Sequence, residues 1–253
     1  MHCLLYVDPS HRGEWALRLG RLLTPALERL TLVATDEDAA RDPALLTRAR
    51  EALRGARALD EKRLPGPAER AIPLEAAGGA YDLVVVPPAG RGALQRMLKG
   101  SRVATVVRSV RASVLVARRP PERIAGILGA VSGGAATAGV IRATVAMEAA
   151  LGARSAFLHV ASEVALPYKR GRGGEQAPAL DEMAAARALL AEAGRELLVR
   201  EGLVVDEVLA EVEHGAYDLL VAGASSGEAA WGREDVTERI LLRCPTSMLI
   251  ARA

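Results

Sequence analysis

One long passage of this chain is written twice. Gly79-Ala80-Tyr81-Asp82-Leu83-Val84-Val85-Val86 returns as Gly215-Ala216-Tyr217-Asp218-Leu219-Leu220-Val221-Ala222, an offset of 136. The same offset carries Gly66 to Gly202 and Ile72 to Val208. Further on, Ser113-Val114-Leu115-Val116-Ala117-Arg118 is echoed by Ser247-Met248-Leu249-Ile250-Ala251-Arg252 at an offset of 134. Solenoid repeats run about 20–50 residues, so self-similarity on this scale marks a duplicated domain. The chain has 253 residues, which divides into two copies large enough for a core each. The joint is Arg118-Arg119-Pro120-Pro121-Glu122, where two prolines bar helix and central strand. The domains are therefore expected at 1–119 and 122–253.

Each copy alternates strand and helix. In the first, Cys3 to Val7, Leu30 to Ala34, Leu83 to Val86 and Ser113 to Ala117 read as strands, with a weaker one near Glu61 to Leu64. Helices are expected after Ser10, from Pro43 to about Leu59, from Pro67 to Ala77 and from Leu98 to Val110. In the second copy, strands are expected at Ile124 to Val131, Ser155 to Val160, Leu219 to Ala222 and Ser247 to Ile250. Helices are expected up to Leu151, from Leu180 to Leu198 and from Leu203 to Glu213, with a loop over Leu166 to Pro178. Fully apolar runs such as Leu83 to Val86 suit central parallel strands. The alternation predicts an α/β fold with right-handed crossovers.

Composition removes several function classes. With 33 basic and 31 acidic residues, the charge balance exerts no strong pull toward nucleic acid or anionic membrane. No run of 18 apolar residues occurs, and the start reads as a strand rather than a signal peptide. Hence neither a membrane nor a nucleic-acid partner is expected, and the expected location is cytoplasmic. Cys3 and Cys244 stand alone in apolar surroundings and read as reduced, buried thiols. His2, His11, His159 and His214 lack ligand spacing, and no nucleophile–base arrangement is legible.

The features that carry chemistry lie just beyond the strands of the first copy. Asp8 follows the first strand. After the Tyr81–Val86 strand the chain reads Pro87-Pro88-Ala89-Gly90, nine residues, then Gly100-Ser101. Each half resembles a universal stress protein domain, by the Asp after strand one, the Gly before the third helix, the Tyr-Asp-Leu-Val-Val-Val strand and this segment. Nucleotide-binding members of that family carry Gly, two residues, Gly, nine residues, Gly-Ser. Here Pro87 replaces the first Gly and the other three positions match.

The resemblance implies an open five-stranded parallel sheet of order 3-2-1-4-5 in each half. It also implies a pseudo-dimer of the two halves through their last strands, and a possible homodimer beyond that. Its implied ligand is ATP, with a divalent ion such as Mg²⁺ accompanying the phosphates. Open α/β sheets bind ligands at the carboxyl ends of strands where the strand order reverses. Gly90 and Gly92 would expose amides to the phosphates, with Arg91 between them to neutralise charge. Gly100-Ser101 would add helix-start amides and a hydroxyl. By analogy Asp8 meets the ribose or adenine end, and Val33 offers backbone groups to adenine. Asp8 also reads as a plain turn and Gly100-Ser101 as a plain helix start.

The second copy is an internal control. Ser132 stands where Asp8 does, and Gly232-Arg233-Glu234-Asp235-Val236-Thr237 puts two acids where the first copy has Gly-Ser. Carboxylates at a helix start repel phosphate, by about 1 kcal/mol at 4 Å even in bulk water. No triphosphate site is expected there, and a neutral ligand remains open. Phosphoryl transfer needs a metal-holding carboxylate and an activated nucleophile, and neither is assignable. The expectation is a stress-related adenine-nucleotide binding protein, regulatory rather than catalytic. The alternatives are a non-binding scaffold of the same fold and a slow nucleotide hydrolase.

Overall fold

The computed structural model describes residues 1–88, 106–107, 109–132, 136–161, 178–192, 194–224 and 236–252. Two compact units emerge: Met1–Ile124 with Pro245–Ile250, and Ala125–Cys244 with Ala251–Ala253.

The first unit opens with β1 (His2–Tyr6) and α1 (His11–Leu23), then β2 (Arg29–Thr35), α2 (Asp36–Arg41) and α3 (Leu45–Ala52). It continues through β3 (Leu59–Leu64), α4 (Ala68–Gly78), β4 (Leu83–Val86) and β5 (Ser113–Val116). The order is β3-β2-β1-β4-β5, all parallel. A later strand, β10 (Ser247–Ala251), lies antiparallel to β5 in the register Leu249↔Leu115. Cys3, Leu4, Leu5, Leu32, Val84, Val85 and Leu115 are fully buried, as expected for strands covered on both faces. Ser10 caps α1 by accepting from the Arg12 and Gly13 amides.

The second unit runs β6 (Gly126–Ala130), α5 (Thr137–Leu151), β7 (Arg154–Ala161), α6 (Pro178–Glu192) and β8 (Leu197–Glu201). Then come α7 (Val204–His214), β9 (Leu219–Gly223) and α8 (Val236–Arg243). Its order, β8-β7-β6-β9, repeats that of the first four strands of unit one. The open α/β architecture read from the sequence is the one observed.

Two boundaries differ from expectation. The helix expected from Pro43 to Leu59 stops at Ala52, and β3 already begins at Leu59. The helix expected from Leu180 to Leu198 ends at Glu192, and Leu197–Glu201 is a strand. Gly194 sits at φ +65, a left-handed conformation that stops a helix. Pairing with β7 then overrides the helical propensity of a Leu- and Glu-rich stretch. Of the expected Leu98–Val110 helix only residues 106–107, 109 and 110 are described, with 106–107 and 109 helical, and the Leu166–Pro178 loop lies outside the described residues up to residue 177.

The repeated Gly-Ala-Tyr-Asp passage now has a physical cause. Asp82 precedes β4 and its carboxylate accepts from the His2 amide at 2.7 Å. Asp218 precedes β9 and accepts from the Ala125 and Gly126 amides at 2.7 and 3.1 Å. Each Asp thus satisfies the leading N–H of a first strand, a donor the ladder leaves open. A Cβ on Gly79 would lie 2.2 Å from the Tyr81 ring, and one on Gly215 would lie 2.1 Å from the Tyr217 ring. Glycine is required because the tyrosine folds back onto it. The strongest repeat in the sequence therefore belongs to the amino ends of the strands and is a folding device.

Candidate functional site

Parallel strands in the order β3-β2-β1-β4-β5 reverse direction of growth between β1 and β4. Their carboxyl ends deliver Val7-Asp8 and Val86-Pro87-Pro88 to the same edge of the sheet. The Val7 amide donates to the Val33 carbonyl at 3.0 Å, so the strand ladder runs on to the residue before Asp8.

Asp8 is half-buried. Its Oδ1 accepts from the Ser10 amide at 2.9 Å and from the Ser10 hydroxyl. The side chain therefore builds the turn that launches α1. Among the described residues Oδ2 has no hydrogen-bond donor, and Asp8 borders a small cavity of about 140 Å³ with Gly13, Glu14 and Arg48. Arg48 is held by Asp42, whose carboxyl lies below the ordinary range because of that hydrogen bond. Val33 is fully buried and its carbonyl is engaged by Val7.

Beyond Val33 the sequence reading missed a feature. Thr35 caps α2 in a reciprocal box with Asp38, and the Tyr6 hydroxyl donates to Asp38 at 2.9 Å. The first turn of α2 carries Asp36, Glu37 and Asp38. The legible signal was Thr-x-x-Asp, the capping-box pattern. Pro87 and Pro88 are buried at the end of β4. Gly90, Arg91, Gly92, Gly100 and Ser101 lie outside the described residues. The structure thus brings Asp8 and Val33 to neighbouring strand ends beside Pro87.

The second unit has the equivalent geometry with different chemistry. The Val131 amide donates to the Leu158 carbonyl at 2.9 Å, as Val7 does to Val33. Ser132 is thereby the structural counterpart of Asp8. Here the carboxyl ends of β6, β7 and β9 enclose a cleft of about 670 Å³. Among the described residues Val131, Val140, Val160, Val208 and Ile240 line it with apolar groups, and Ser132, His159 and Thr237 with polar ones. His159 Nδ1 lies 3.0 Å from the Val131 carbonyl. The Thr237 hydroxyl donates to the Gly223 carbonyl at 3.0 Å. A Cβ on Gly223 would come within 2.5 Å of the Ala136 methyl, so glycine lets β9 end against the start of α5. The small residues at the ends of these strands were a visible signal, but nothing in their spacing placed them together.

A third group of polar residues sits at the opposite, amino end of the first sheet. Tyr81 donates to Glu75 at 2.6 Å, Lys62 pairs with Glu75 at 2.6 Å, and Arg29 pairs with Asp60 at 2.6 Å. His2 Nε2 meets the Thr31 hydroxyl at 2.9 Å and its ring lies 4.4 Å from that of Tyr81. These charges satisfy one another. Among the described residues no three His, Cys, Asp or Glu side chains are grouped to hold a metal, and no helix is long and apolar enough to cross a membrane.

A family model described as the universal stress protein family matches residues 4–118 and again 126–252. Among solved structures, a functionally unknown protein from Pseudomonas aeruginosa PAO1 is similar at a TM-score of 0.77 and 16% identity. That match covers 99% of this chain and 92% of the other. A universal stress protein from Archaeoglobus fulgidus DSM 4304 matches at a TM-score of 0.71 and 15% identity, covering 99% and 96%. The cytoplasmic domain of a prokaryotic cation chloride cotransporter matches at 0.59 and 10% identity, covering 99% and 95%. No curated protein matches. At these identities the structural likenesses speak for the fold alone.

Proposed function

We propose, from the premise that this chain belongs to the universal stress protein family through both of its halves, that its first half binds an adenine nucleotide, ATP with Mg²⁺. The observation that carries the reading is the Gly90, nine-residue, Gly100-Ser101 spacing that follows a strand paired directly with β1, the strand that ends at Asp8. Backbone amides at Gly90, Gly92, Gly100 and Ser101 receive the phosphates, and Arg91 offsets their charge. Asp8 Oδ2 takes a ribose hydroxyl, while Oδ1 stays in its turn. Val33 stands behind the adenine as part of the strand wall. The metal is carried by the phosphates rather than by a protein cage.

On this reading domains 1–119 and 122–253 form an intramolecular pseudo-dimer in the cytoplasm, open to further homodimerisation. Their role is a regulatory one in stress, with ligand occupancy as the signal and at most weak hydrolysis. Neither nucleic acid nor membrane is its partner. Pro87 favours a second reading, a scaffold that binds no nucleotide, because proline lacks the amide the family's first Gly supplies.

Titration with Mg-ATP by calorimetry and thermal shift separates the two. At 100 times Kd, binding stabilises the folded state by about 2.7 kcal/mol. The Gly100→Asp chain, which copies the acid of the second half, should lose that shift and keep its melting temperature without ligand. An unmoved melting temperature at millimolar Mg-ATP would favour the scaffold. Full affinity in Gly100→Asp would reject the assigned cradle.

A further inference from the structure

We infer that β8 is a self-pairing edge, at which two copies of this chain join antiparallel about a twofold axis through Leu198. This gives a surface to the homodimer proposed above and does not depend on nucleotide binding.

Among the described residues β8 ends the strand order and pairs with β7 alone. A strand so placed offers a row of N–H and C=O groups to another chain unless charge blunts it. The first copy is blunted and the second is not. Val33 and Leu158 hold equivalent positions, since each accepts from the residue that follows its unit's first strand. Val33 lies beside Lys62, and Leu158 beside Leu198. Glu61, Lys62 and Arg63 of β3 therefore correspond to Leu197, Leu198 and Val199 of β8. In β3 the charges are tied down within the unit: Arg29 holds Asp60, Arg50 holds Glu61 and Lys62 holds Glu75. In β8 three apolar residues replace three charged ones, and Leu198 is 40% and Val199 47% exposed.

Backbone and charge select one register. The Gly202 amide donates to the Ala161 carbonyl of β7. Backbone groups alternate sides along a strand, so Leu197, Val199 and Glu201 turn theirs away from β7. Hydrogen-bonded partners must both do so, which permits Leu197 opposite Val199, Val199 opposite itself, or Val199 opposite Glu201. The first choice sets Glu196 opposite Arg200 on both sides of the axis, with Leu198 facing its own copy. The second leaves Arg200 opposite Leu198, and the third sets Arg200 against Arg200. Opposite charges directly across a strand pair stabilise it and like charges destabilise it, so the first is chosen. Arg200 engages Glu211 through Nε and Nη2, and its Nη1 meets Glu196 of the second copy. A strand of 5 residues makes a small interface, which implies a weak, reversible dimer.

Sedimentation of the intact chain from low to high micromolar concentration should show a monomer passing to a dimer, with or without Mg-ATP. Leu198→Lys, which copies Lys62, should weaken association by at least about tenfold. Glu196 is exposed, so Glu196→Lys, which faces Arg200 with a like charge, should do the same even if Leu198→Lys melts early. Cysteines read the register. Residues facing each other in a non-hydrogen-bonded pair have Cα atoms about 4.5 Å apart, within disulfide reach. Leu198→Cys should oxidise to a covalent dimer, and Val199→Cys, whose two copies sit diagonally, should not. A chain monomeric throughout, a dimer untouched by either lysine, or cross-linking at 199 and not at 198 would each overturn the proposal.

Discussion

Replacing Gly79 by alanine tests the reading of the duplicated passage. The added methyl would sit 2.2 Å from Tyr81 Cε2, 2.8 Å from Cδ2 and 3.0 Å from Cζ. The ring is tethered where it lies. Tyr81 is 9% exposed, its hydroxyl donates to Glu75, and its ring packs at 4.4 Å against the tilted ring of His2. Overpacking of this kind costs about 1–3 kcal/mol, and losing the Tyr81–Glu75 bond adds about 1 kcal/mol. The adjacent glycine supplies the control. Gly78 is the last residue of α4, and a Cβ there meets nothing within 4 Å. Gly78→Ala should be neutral or stabilise by up to about 1 kcal/mol, since alanine has the better helix propensity. Denaturant melts followed by far-ultraviolet circular dichroism give both values. A double-mutant cycle with Tyr81→Ala isolates the clash, because in that background Gly79→Ala should cost little. Equal effects at 78 and 79, or no coupling to Tyr81, would refute the argument that the tyrosine dictates the glycine. The second copy repeats the experiment: in Gly215→Ala the methyl meets the Tyr217 ring at 2.1 Å and the Glu211 carbonyl at 2.9 Å.

Glu75 carries a pH prediction. Burial by itself raises its carboxyl, but hydrogen bonds from Lys62 and Tyr81 outweigh this and hold it below its ordinary value. A depressed folded-state value gives stability that is complete above the ordinary glutamate range and is lost as pH falls through the folded value. Glu75→Gln should therefore be less stable than the parent at pH 7, by about 1 kcal/mol for this partly exposed group. The two melts should converge in strong acid; a constant difference from pH 7 to 2 would contradict the assignment. In the second unit Arg200→Met would leave Glu211, 7% exposed, without its guanidinium. Arg200 is itself 51% exposed, so about 1–3 kcal/mol should be lost, and chemical denaturation showing no loss would speak against a coupled pair. Cys3 is fully buried and burial pushes its thiol up, while Cys244 is 1% exposed. Ellman's reagent should find no thiol in the native chain and two in denaturant; rapid native labelling would show a looser core.

By itself the sequence determined the duplication, the alternation of strand and helix, and most strand positions. These depend on local patterns: apolar runs of four to six residues, punctuating Gly and Pro, and a passage long enough to recognise twice. It also offered the Gly90 to Ser101 spacing, whose residues remain a sequence-level proposal. Only the tertiary structure decided what the repeated residues are for. Gly79, Tyr81 and Asp82 close the amino end of the sheet, because Asp82 is brought to the His2 amide across 80 positions of chain. Pairing with β7 likewise made a strand of Leu197–Glu201, where local propensity favoured helix. The cleft of the second unit has the same origin. Ser132, His159 and Gly223 are far apart in the chain and meet only because parallel strands end at one edge. A cavity is the space left between such elements, and its volume depends on how all of them pack at once.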